Sequence, residues 1–208
     1  MQTGQNKDID SFHLSIEMKE KIRCGWVKLN NQVYVRYHDE EWGKPIFDDQ
    51  RHFEYLMLET FQAGLSWETV LNKRAAYQQA MWQFNPIKIS RAQHRQIEKW
   101  MGNPVLIRHR GKFIAAIENA KIFLSIQKEF HTFHQFLLQY FPNGKVINHP
   151  TSLRELKSES IESIEISKAL KKRGMKFVGP KIIYAHLQAI GLIDDHLENC
   201  FCKKLNLK

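Results

Sequence analysis

Apolar residues recur at helical spacing along most of the chain. Between residues 53 and 61 they fall at positions i, i+3, i+4 and i+8, which predicts an amphipathic helix that begins after Asp49 and stops at Gly64. The residues of the apolar face are Phe53, Leu56, Met57 and Phe61. Ser66 is of the residue type that caps helices, and it predicts a second helix that runs through Tyr77.

Helix start signals continue through the rest of the sequence. They are Asn85-Pro86, a capping box of Ser90 with Gln93, Gly111, and Ser152 with Glu155. Two further helices are predicted, one that ends within residues 170–174 and one from about Pro180 to Gly191. Strand-like alternation occurs only over residues 33–37, which is too short to build a sheet. The pattern therefore predicts an all-α fold.

Length and composition predict a single helical domain over residues 21–208, preceded by a polar extension, residues 1–20, without the apolar region of a secretory signal. No apolar run approaches the roughly 20 residues of a membrane span. The net charge of +9 favours a polyanionic partner, nucleic acid before membrane. Three cysteines are too few for a disulfide framework, so we expect a protein of the reducing cytoplasm.

Cysteine and histidine residues occur in pairs near both ends of the domain. Cys24 and His38 are separated by thirteen residues, and His196 and Cys200 form an H-x3-C pair that a helix would place on one face. Two thiolates and two imidazoles form a closed tetrahedral set of the kind that structural zinc prefers. The alternatives are buried cysteines among scattered histidines, or Cys202 as a ligand. Zinc here would tie the N-terminal segment to the C-terminal one.

A short basic segment with two glycines joins the last two predicted helices near residues 171–181. Its glycines let the backbone approach a ligand, and the next helix directs unpaired N–H groups outward. With the flanking cations this predicts a clamp for DNA phosphates that resembles a helix-hairpin-helix element. The clamp residues are Lys172, Arg173, Gly174, Lys176 and Gly179. The alternative is a helix stop with solvated lysines.

Aromatic residues are concentrated around one carboxylate in the first third of the domain. Glu59 lies beside the apolar face of its predicted helix, and a carboxylate there needs a partner or a function. A flipped purine supplies both, because its ring stacks on aromatic faces and its exocyclic amine donates to the carboxylate. A methylated, cationic base adds a cation–π attraction. The predicted pocket residues are Trp26, Tyr34, Tyr37, Trp42 and Trp67.

The loop that follows Glu59 carries an apolar residue at its tip. Leu65 either inserts into the space that a flipped base leaves in DNA or packs inward as a hydrophobic staple.

These motifs occur together in an order that resembles the bacterial DNA-3-methyladenine glycosylase I family. The resemblance runs from about Cys24 to Cys200, and its most specific stretches are QAGLSW at 62–67 and KALKKRG-x-KFVG at 168–179. Shorter matches are Cys24–Trp26, Tyr37–Gly43, Leu58-Glu59, Ile107–Lys112 and Asp195-His196.

The resemblance implies a helix-hairpin-helix glycosylase that excises 3-methyladenine from double-stranded DNA, as a monomer and without a lyase step. It implies zinc on the four Cys and His residues, and so a zinc-stapled subdomain of the two chain ends. It implies base recognition by Glu59 within the aromatic pocket. The resemblance also implies that Gln62, Gly64 and Leu65 insert into the DNA. Because a 3-methylated adenine is already cationic, it leaves without being protonated.

The sequence departs from the family pattern at Asp194, where Asn is more usual before Asp-His. Asp194 either supports the sugar electrostatically during catalysis or, with Asp195, caps a helix that carries the last metal ligands. Thr60, commonly Gly, is expected to adjust the pocket. Residues 102–104 are expected to alter a turn that contacts the DNA backbone. Two rival functions remain: a non-catalytic binder of damaged DNA, and a glycosylase for another methylated purine.

Overall fold

The computed structural model describes residues 21–206, and the predicted polar extension, residues 1–20, lies outside them. The α-helices are α1 Gln32–Arg36, α2 Asp49–Gln62, α3 Trp67–Asn72, α4 Arg74–Ala80, α5 Pro86–Ser90, α6 His94–Gly102, α7 Arg110–Phe130, α8 Phe133–Leu138, α9 Ile161–Lys172, α10 Pro180–Ala189 and α11 Phe201–Asn206. Tyr37–Glu41 is a π-helical turn, and Trp82–Phe84 and Leu153–Glu155 are 3-10 turns. The strands β1 Val146–Ile147 and β2 Ile193–Asp194 form one parallel pair.

The predicted helix over residues 49–62 is confirmed, and it lies at the centre of the structure. Asp48 caps it by accepting a hydrogen bond of 2.8 Å from the Arg51 amide. Every residue from His52 to Phe61 is buried, because α7, α8 and α10 pack around the helix. The helix is therefore not a surface helix with one apolar face, and its polar residues lie inside the protein.

Other predicted helix starts are confirmed in part. Ser66 caps α3 through the Thr69 amide, but Tyr77 belongs to the separate helix α4 because the chain bends at Lys73. Asn85 caps α5, with a proline at its first position.

Three sequence predictions about secondary structure are wrong. Ser90 ends α5 and donates a hydrogen bond to the Ile87 carbonyl instead of starting a helix. Ser152 and Glu155 enclose only a 3-10 turn. His196 and Cys200 precede α11 rather than sharing a helical face, because the chain turns where the Cys200 amide bonds to the Leu197 carbonyl.

The residues with strand-like alternation, 33–37, form α1 and the start of the π-helical turn. The fold is mostly helical, and the β1–β2 pair ties residues 146–148 to the segment that carries His196. Among the described residues, no helix combines the length and the apolar character that a membrane span requires.

A cluster of three histidines lies between α2, α8 and α10. The His52 Nε2 atom lies 2.9 Å from the Ile46 carbonyl oxygen and 3.2 Å from His134 Nδ1. His186 is fully buried, and neither of its ring nitrogens has a hydrogen-bond partner among residues 21–206. Burial lowers the pKa of His52 to about 4 and holds that of His186 well below its ordinary value. The cluster is therefore neutral in the folded protein at neutral pH.

We predict that this cluster makes folding sensitive to acid. Below pH 6.5 the unfolded chain binds a proton at His52 that the folded protein does not bind until about pH 4, so stability falls as the pH falls through this window. Replacing His52 by Gln keeps a donor for Ile46 and removes the titration. The variant should lose less unfolding free energy between pH 6.5 and 4, by about 3 kcal/mol.

Urea unfolding at several pH values measures this difference. A His94→Gln variant is the control, because the His94 side chain is 81% exposed. Identical pH dependence in the wild-type and His52→Gln proteins would contradict the prediction.

Candidate functional site

A cavity of about 330 Å³ opens between α1, α2 and α10. All six residues that the sequence predicted for base binding line it, and Gln62 of the predicted insertion loop lines it too. They are Trp26, Tyr34, Tyr37, Trp42, Glu59 and Trp67. The structure therefore brings the predicted pocket residues together at one site.

The π-helical turn after α1 distributes its side chains between two sites. Asn31 caps α1 by accepting hydrogen bonds from the amides of Val33 and Tyr34. The Trp42 amide then bonds to the Tyr37 carbonyl at 2.8 Å, five residues back, which is the π-helical spacing. Tyr37 and Trp42 thereby both line the cavity, while His38 between them is directed to the cysteines.

The aromatic walls hold one another in place. Trp26 meets Tyr34 and Trp42 edge to face, with ring centroids 5.6 Å and 4.9 Å away. On the other side, the rings of Tyr37 and Trp67 lie 5.1 Å apart. Aromatic pairs with these separations are attractive in themselves, so the cavity is formed before any ligand enters.

Glu59 is the only acidic residue among those that line the cavity. Its side chain has no hydrogen-bond or ion-pair partner within residues 21–206, and burial raises its pKa to about 8. Nearby, the Trp67 indole N–H is buried and has no acceptor among the described residues. Burial raises the pKa of Tyr37 well above its ordinary value, so this phenol stays protonated. The cavity thus presents unpaired polar groups between aromatic faces, which suits a planar ligand with a polar edge.

The cavity is also lined by four residues that the sequence analysis did not identify: Leu156, Lys157, Ala185 and Gln188. Gln188 is fixed by Asp195, whose carboxylate accepts hydrogen bonds of 2.6 Å from the amide of Gln188 and the hydroxyl of Tyr184. Asn148 donates to the other Asp195 oxygen at 2.7 Å. Long-range packing of α10 against β2 places Gln188, and no local pattern signals it.

The loop between α2 and α3 projects an apolar tip beside the cavity. Gly64 has a φ of +81°, and the space where its Cβ would lie is open. Leu65 is 38% exposed, so it is not packed inward as a hydrophobic staple. Lys112 holds the base of the loop, donating hydrogen bonds of 2.8 Å and 2.6 Å to the carbonyls of Phe61 and Ala63. The loop is therefore anchored while its tip faces solvent.

The four predicted metal ligands converge behind the aromatic wall. Cys24, His38, His196 and Cys200 are all buried, and their ligand atoms lie within 4.8 Å of one another. Cys200 Sγ lies 3.4 Å from His38 Nε2 and 3.7 Å from His196 Nδ1, and Cys24 Sγ lies 3.6 Å from His196 Nδ1. Tetrahedral zinc with its usual bond lengths separates sulfur and nitrogen ligands by about 3.5 Å. The donor set and its spacing therefore fit zinc.

A second layer of contacts orients the ligand His38. Its Nδ1 atom lies 2.8 Å from Asp39, which forms a bidentate ion pair with Arg23 at 2.8 Å and 2.7 Å. Burial opposes the charge of Asp39, but these two partners hold its pKa below the ordinary value. Such carboxylate support is typical of metal-bound histidines. Cys202 lies 3.8 Å from the His38 carbonyl and belongs to a different group of donors.

The basic turn between α9 and α10 is held from below. Gly174 has a φ of +98°, and the Met175 amide bonds to the Leu170 carbonyl at 3.0 Å, the Schellman pattern. Asn119 of α7 is buried and exchanges two hydrogen bonds with the Lys176 backbone, at 2.9 Å and 2.8 Å. The turn is thus a helix stop that also presents a fixed backbone to solvent.

The predicted cations of this turn have different environments. Lys172 and Lys176 are exposed. Arg173 instead forms a bidentate ion pair with Glu129, and its guanidinium lies over the rings of Phe130 and Phe136. Arg173 therefore fastens α9 to α7, and its contact with phosphate stays a prediction.

Asp194 is not among the residues that line the cavity, and its catalytic alternative stays a prediction. It is 1% exposed, accepts a hydrogen bond of 3.0 Å from the His196 amide, and lies 3.6 Å from the buried Lys203 ammonium. Asp194 is therefore a cap, but it caps a turn rather than the predicted helix.

Thr60 is also fully buried and absent from the lining, so it does not adjust the pocket directly. In the 102–104 turn, Asn103 accepts a hydrogen bond from the Val105 amide.

Fold and site together define a mostly helical protein with an aromatic cavity that contains one buried carboxyl and fits a planar, polar-edged ring. A family model described as methyladenine glycosylase matches residues 26–203. The chain belongs to this family. It is 45% identical over 181 residues to the DNA-3-methyladenine glycosylase of Haemophilus influenzae, covering 87% of this chain and 97% of that protein. It is 42% identical over 180 residues to DNA-3-methyladenine glycosylase 1 of Escherichia coli, covering 86% and 96%.

Solved structures agree with this assignment. A crystal structure of 3-methyladenine DNA glycosylase I superposes with a TM-score of 0.83 at 42% identity, covering 87% of this chain and 99% of that chain. A variant of 3-methyladenine DNA glycosylase I in complex with 3-methyladenine superposes with a TM-score of 0.83 at 32% identity, covering 87% and 97%.

Proposed function

We propose that this protein excises 3-methyladenine from alkylated DNA by hydrolysing the bond between base and sugar. The observation that carries the proposal is Glu59, a buried and unpaired carboxyl between aromatic walls. Family membership and the relatives' names support the same substrate. A flipped purine fills such a cavity, and its exocyclic amine donates to the carboxylate. Guanine would present an acceptor there and be rejected.

The charge of the lesion simplifies the reaction. A 3-methylated adenine is cationic within DNA, so the base takes the bonding electrons and leaves as a neutral molecule. Water adds to the sugar carbon and loses a proton to solvent, which ends the reaction at an abasic site without a lyase step. The protein holds the base, with Glu59 opposite its charge and the tryptophans against its ring.

DNA contacts are assigned to two surfaces, the α9–α10 turn and the loop between α2 and α3. The α9–α10 turn acts as a helix-hairpin-helix element, in which Lys172, Gly174, Lys176 and Gly179 contact phosphates. Support comes from the exposed lysines and from the fixed backbone of the turn. The loop with Gln62, Gly64 and Leu65 occupies the space of the flipped base.

Zinc is assigned to Cys24, His38, His196 and Cys200, with a structural role because the set is closed and buried. When bound, zinc supplies a fixed link between the two ends of the domain. The enzyme acts as a monomer in the cytoplasm, where the cysteines stay reduced.

We predict that the purified protein releases 3-methyladenine from alkylated DNA with a pH dependence set by Glu59. Binding a cationic base requires the ionised carboxylate, so kcat/KM should rise with pH up to about 8 and level off above it. Glu59→Gln should remove this rise and lower kcat/KM about 10- to 100-fold, the scale of a charge-assisted hydrogen bond. Affinity for undamaged duplex should stay unchanged.

Chromatography of the released bases distinguishes the rival functions. Release of 3-methyladenine alone supports the proposal in its narrow form. Release of another methylated purine means a different lesion specificity, and no release at all means a protein that only binds damaged DNA.

We predict one zinc ion per chain in the purified protein. Cys24→Ser and Cys200→Ser should lower the zinc content and the unfolding midpoint, because zinc binding free energy contributes to folding. Cys202→Ser is a matched control that also removes a buried thiol but should keep zinc. Atomic emission and thermal unfolding provide the readouts. A protein that contains no zinc before any substitution would refute the assignment.

We predict that Asp194→Asn weakens folding but not catalysis. The substitution leaves the buried Lys203 ammonium without its carboxylate, which should lower the free energy of unfolding by about 3 kcal/mol. Adding Lys203→Met to the variant should restore part of this loss. Single-turnover excision by the folded Asp194→Asn enzyme should match the wild-type rate. A large fall in that rate would instead assign Asp194 a catalytic role.

A further inference from the structure

A single lysine lies at the mouth of the base cavity. Lys157 is exposed and is the only cationic residue among those lining this cavity. It also lines an adjacent depression of about 280 Å³ together with Asn148 and Tyr184, so it stands on the ridge between the two. Among the side chains that the structure describes, Lys157 has no ion-pair or hydrogen-bond partner.

The segment that carries Lys157 is fixed by its own hydrogen bonds. The Glu155 carboxylate accepts bonds of 2.9 Å and 2.8 Å from the amide and hydroxyl of Thr151, and one of 3.0 Å from Ser152. The Glu198 amide donates to the Pro150 carbonyl at 2.9 Å, which ties the segment to the chain between two metal ligands. Lys157 therefore extends from an anchored backbone, although its side chain is exposed.

A lysine at the mouth of the cavity disfavours the binding of the proposed cationic base when that base is considered without its sugar and phosphate. The lesion base is itself positively charged, and Glu59 already provides the opposite charge inside the cavity. A second positive charge on the rim repels such a base unless an anion lies between them. In a flipped nucleotide the base enters the cavity, the sugar lies at the mouth, and the phosphodiester stays outside. The phosphodiester is the anion that reaches the rim.

We propose that Lys157 binds a backbone phosphate of the flipped nucleotide. This inference rests on the proposed function and adds a contact that exists only when the nucleotide has left the helix. The exposed lysines of the α9–α10 turn hold duplex DNA whether or not a lesion is present. Lys157 instead stabilises the extrahelical state, so it favours flipping without strengthening binding to intact DNA.

The test compares Lys157→Gln with Lys157→Arg and with Lys88→Gln. Lys88 is an exposed lysine of α5 that lines neither depression, so its variant controls for the loss of one positive charge. Each protein is measured with alkylated duplex, with duplex containing a stable abasic-site analogue, with undamaged duplex and with free 3-methyladenine.

For Lys157→Gln we expect roughly fivefold weaker binding to the abasic-site duplex, the scale of an exposed ion pair. The slope of log affinity against log salt concentration should fall by about 1. Single-turnover excision at subsaturating enzyme should fall in parallel. Free 3-methyladenine, which has no phosphate, and undamaged duplex should bind as before. Lys157→Arg should restore the salt slope, and Lys88→Gln should leave affinity for the abasic-site duplex unchanged.

The inference is overturned if Lys157→Gln binds abasic-site duplex with the wild-type affinity. It is also overturned if the substitution weakens the binding of free 3-methyladenine by the same factor. The first result means no phosphate contact, and the second means a role in the cavity itself. Both outcomes require that the unaltered enzyme releases 3-methyladenine. If the unaltered enzyme releases no base, the proposed function fails and the Lys157 inference fails with it, and the two failures are told apart by that single measurement.

Discussion

The cavity depends on the convergence of the two ends of the domain at the Cys and His cluster. Trp26 and Trp42, which form one wall, pack edge to face on the cluster's histidines: Trp26 on His38 at 5.2 Å and Trp42 on His196 at 4.5 Å between ring centroids. The segment from 24 to 43 has no long helix of its own, so its position depends on contacts with distant segments, these two among them. Whatever fixes the cluster therefore also fixes the shape of the cavity, although none of the four cluster residues lines it.

A second constraint is the free energy of keeping Glu59 buried without a partner. Raising its pKa from 4.5 to about 8 corresponds to about 5 kcal/mol against the charged form. At neutral pH the empty site therefore holds Glu59 mostly protonated, and a cationic base offsets the cost of ionising it. A neutral adenine cannot offset it in the same way. Selectivity for the proposed lesion thus follows from desolvation of one carboxyl, with the aromatic walls excluding the water that would otherwise screen it.

Sequence-based prediction succeeded for features set by short-range interactions and missed those set by contacts between distant segments. Caps such as Ser66 and Asn85 act within one turn, and they were predicted because each signal is local. The pocket and the metal ligands were predicted through motifs that the family shares. The π-helical turn was missed, since its bond from Trp42 to Tyr37 leaves no periodic pattern. Gln188 and Lys157 were missed because contacts between distant segments place them at the cavity.

The positions of the charged side chains show that only some of the basic residues are available to bind a partner. A net charge of +9 favoured nucleic acid, but several cations are used within the fold. Arg173 holds Glu129, Arg74 lies between Glu41 and Glu54, and Lys112 caps α2. The exposed lysines of the α9–α10 turn and of the cavity rim are not used in this way. The position of these remaining cations therefore carries more information about a DNA-binding surface than the total charge does, and one of them, Lys157, lines the cavity.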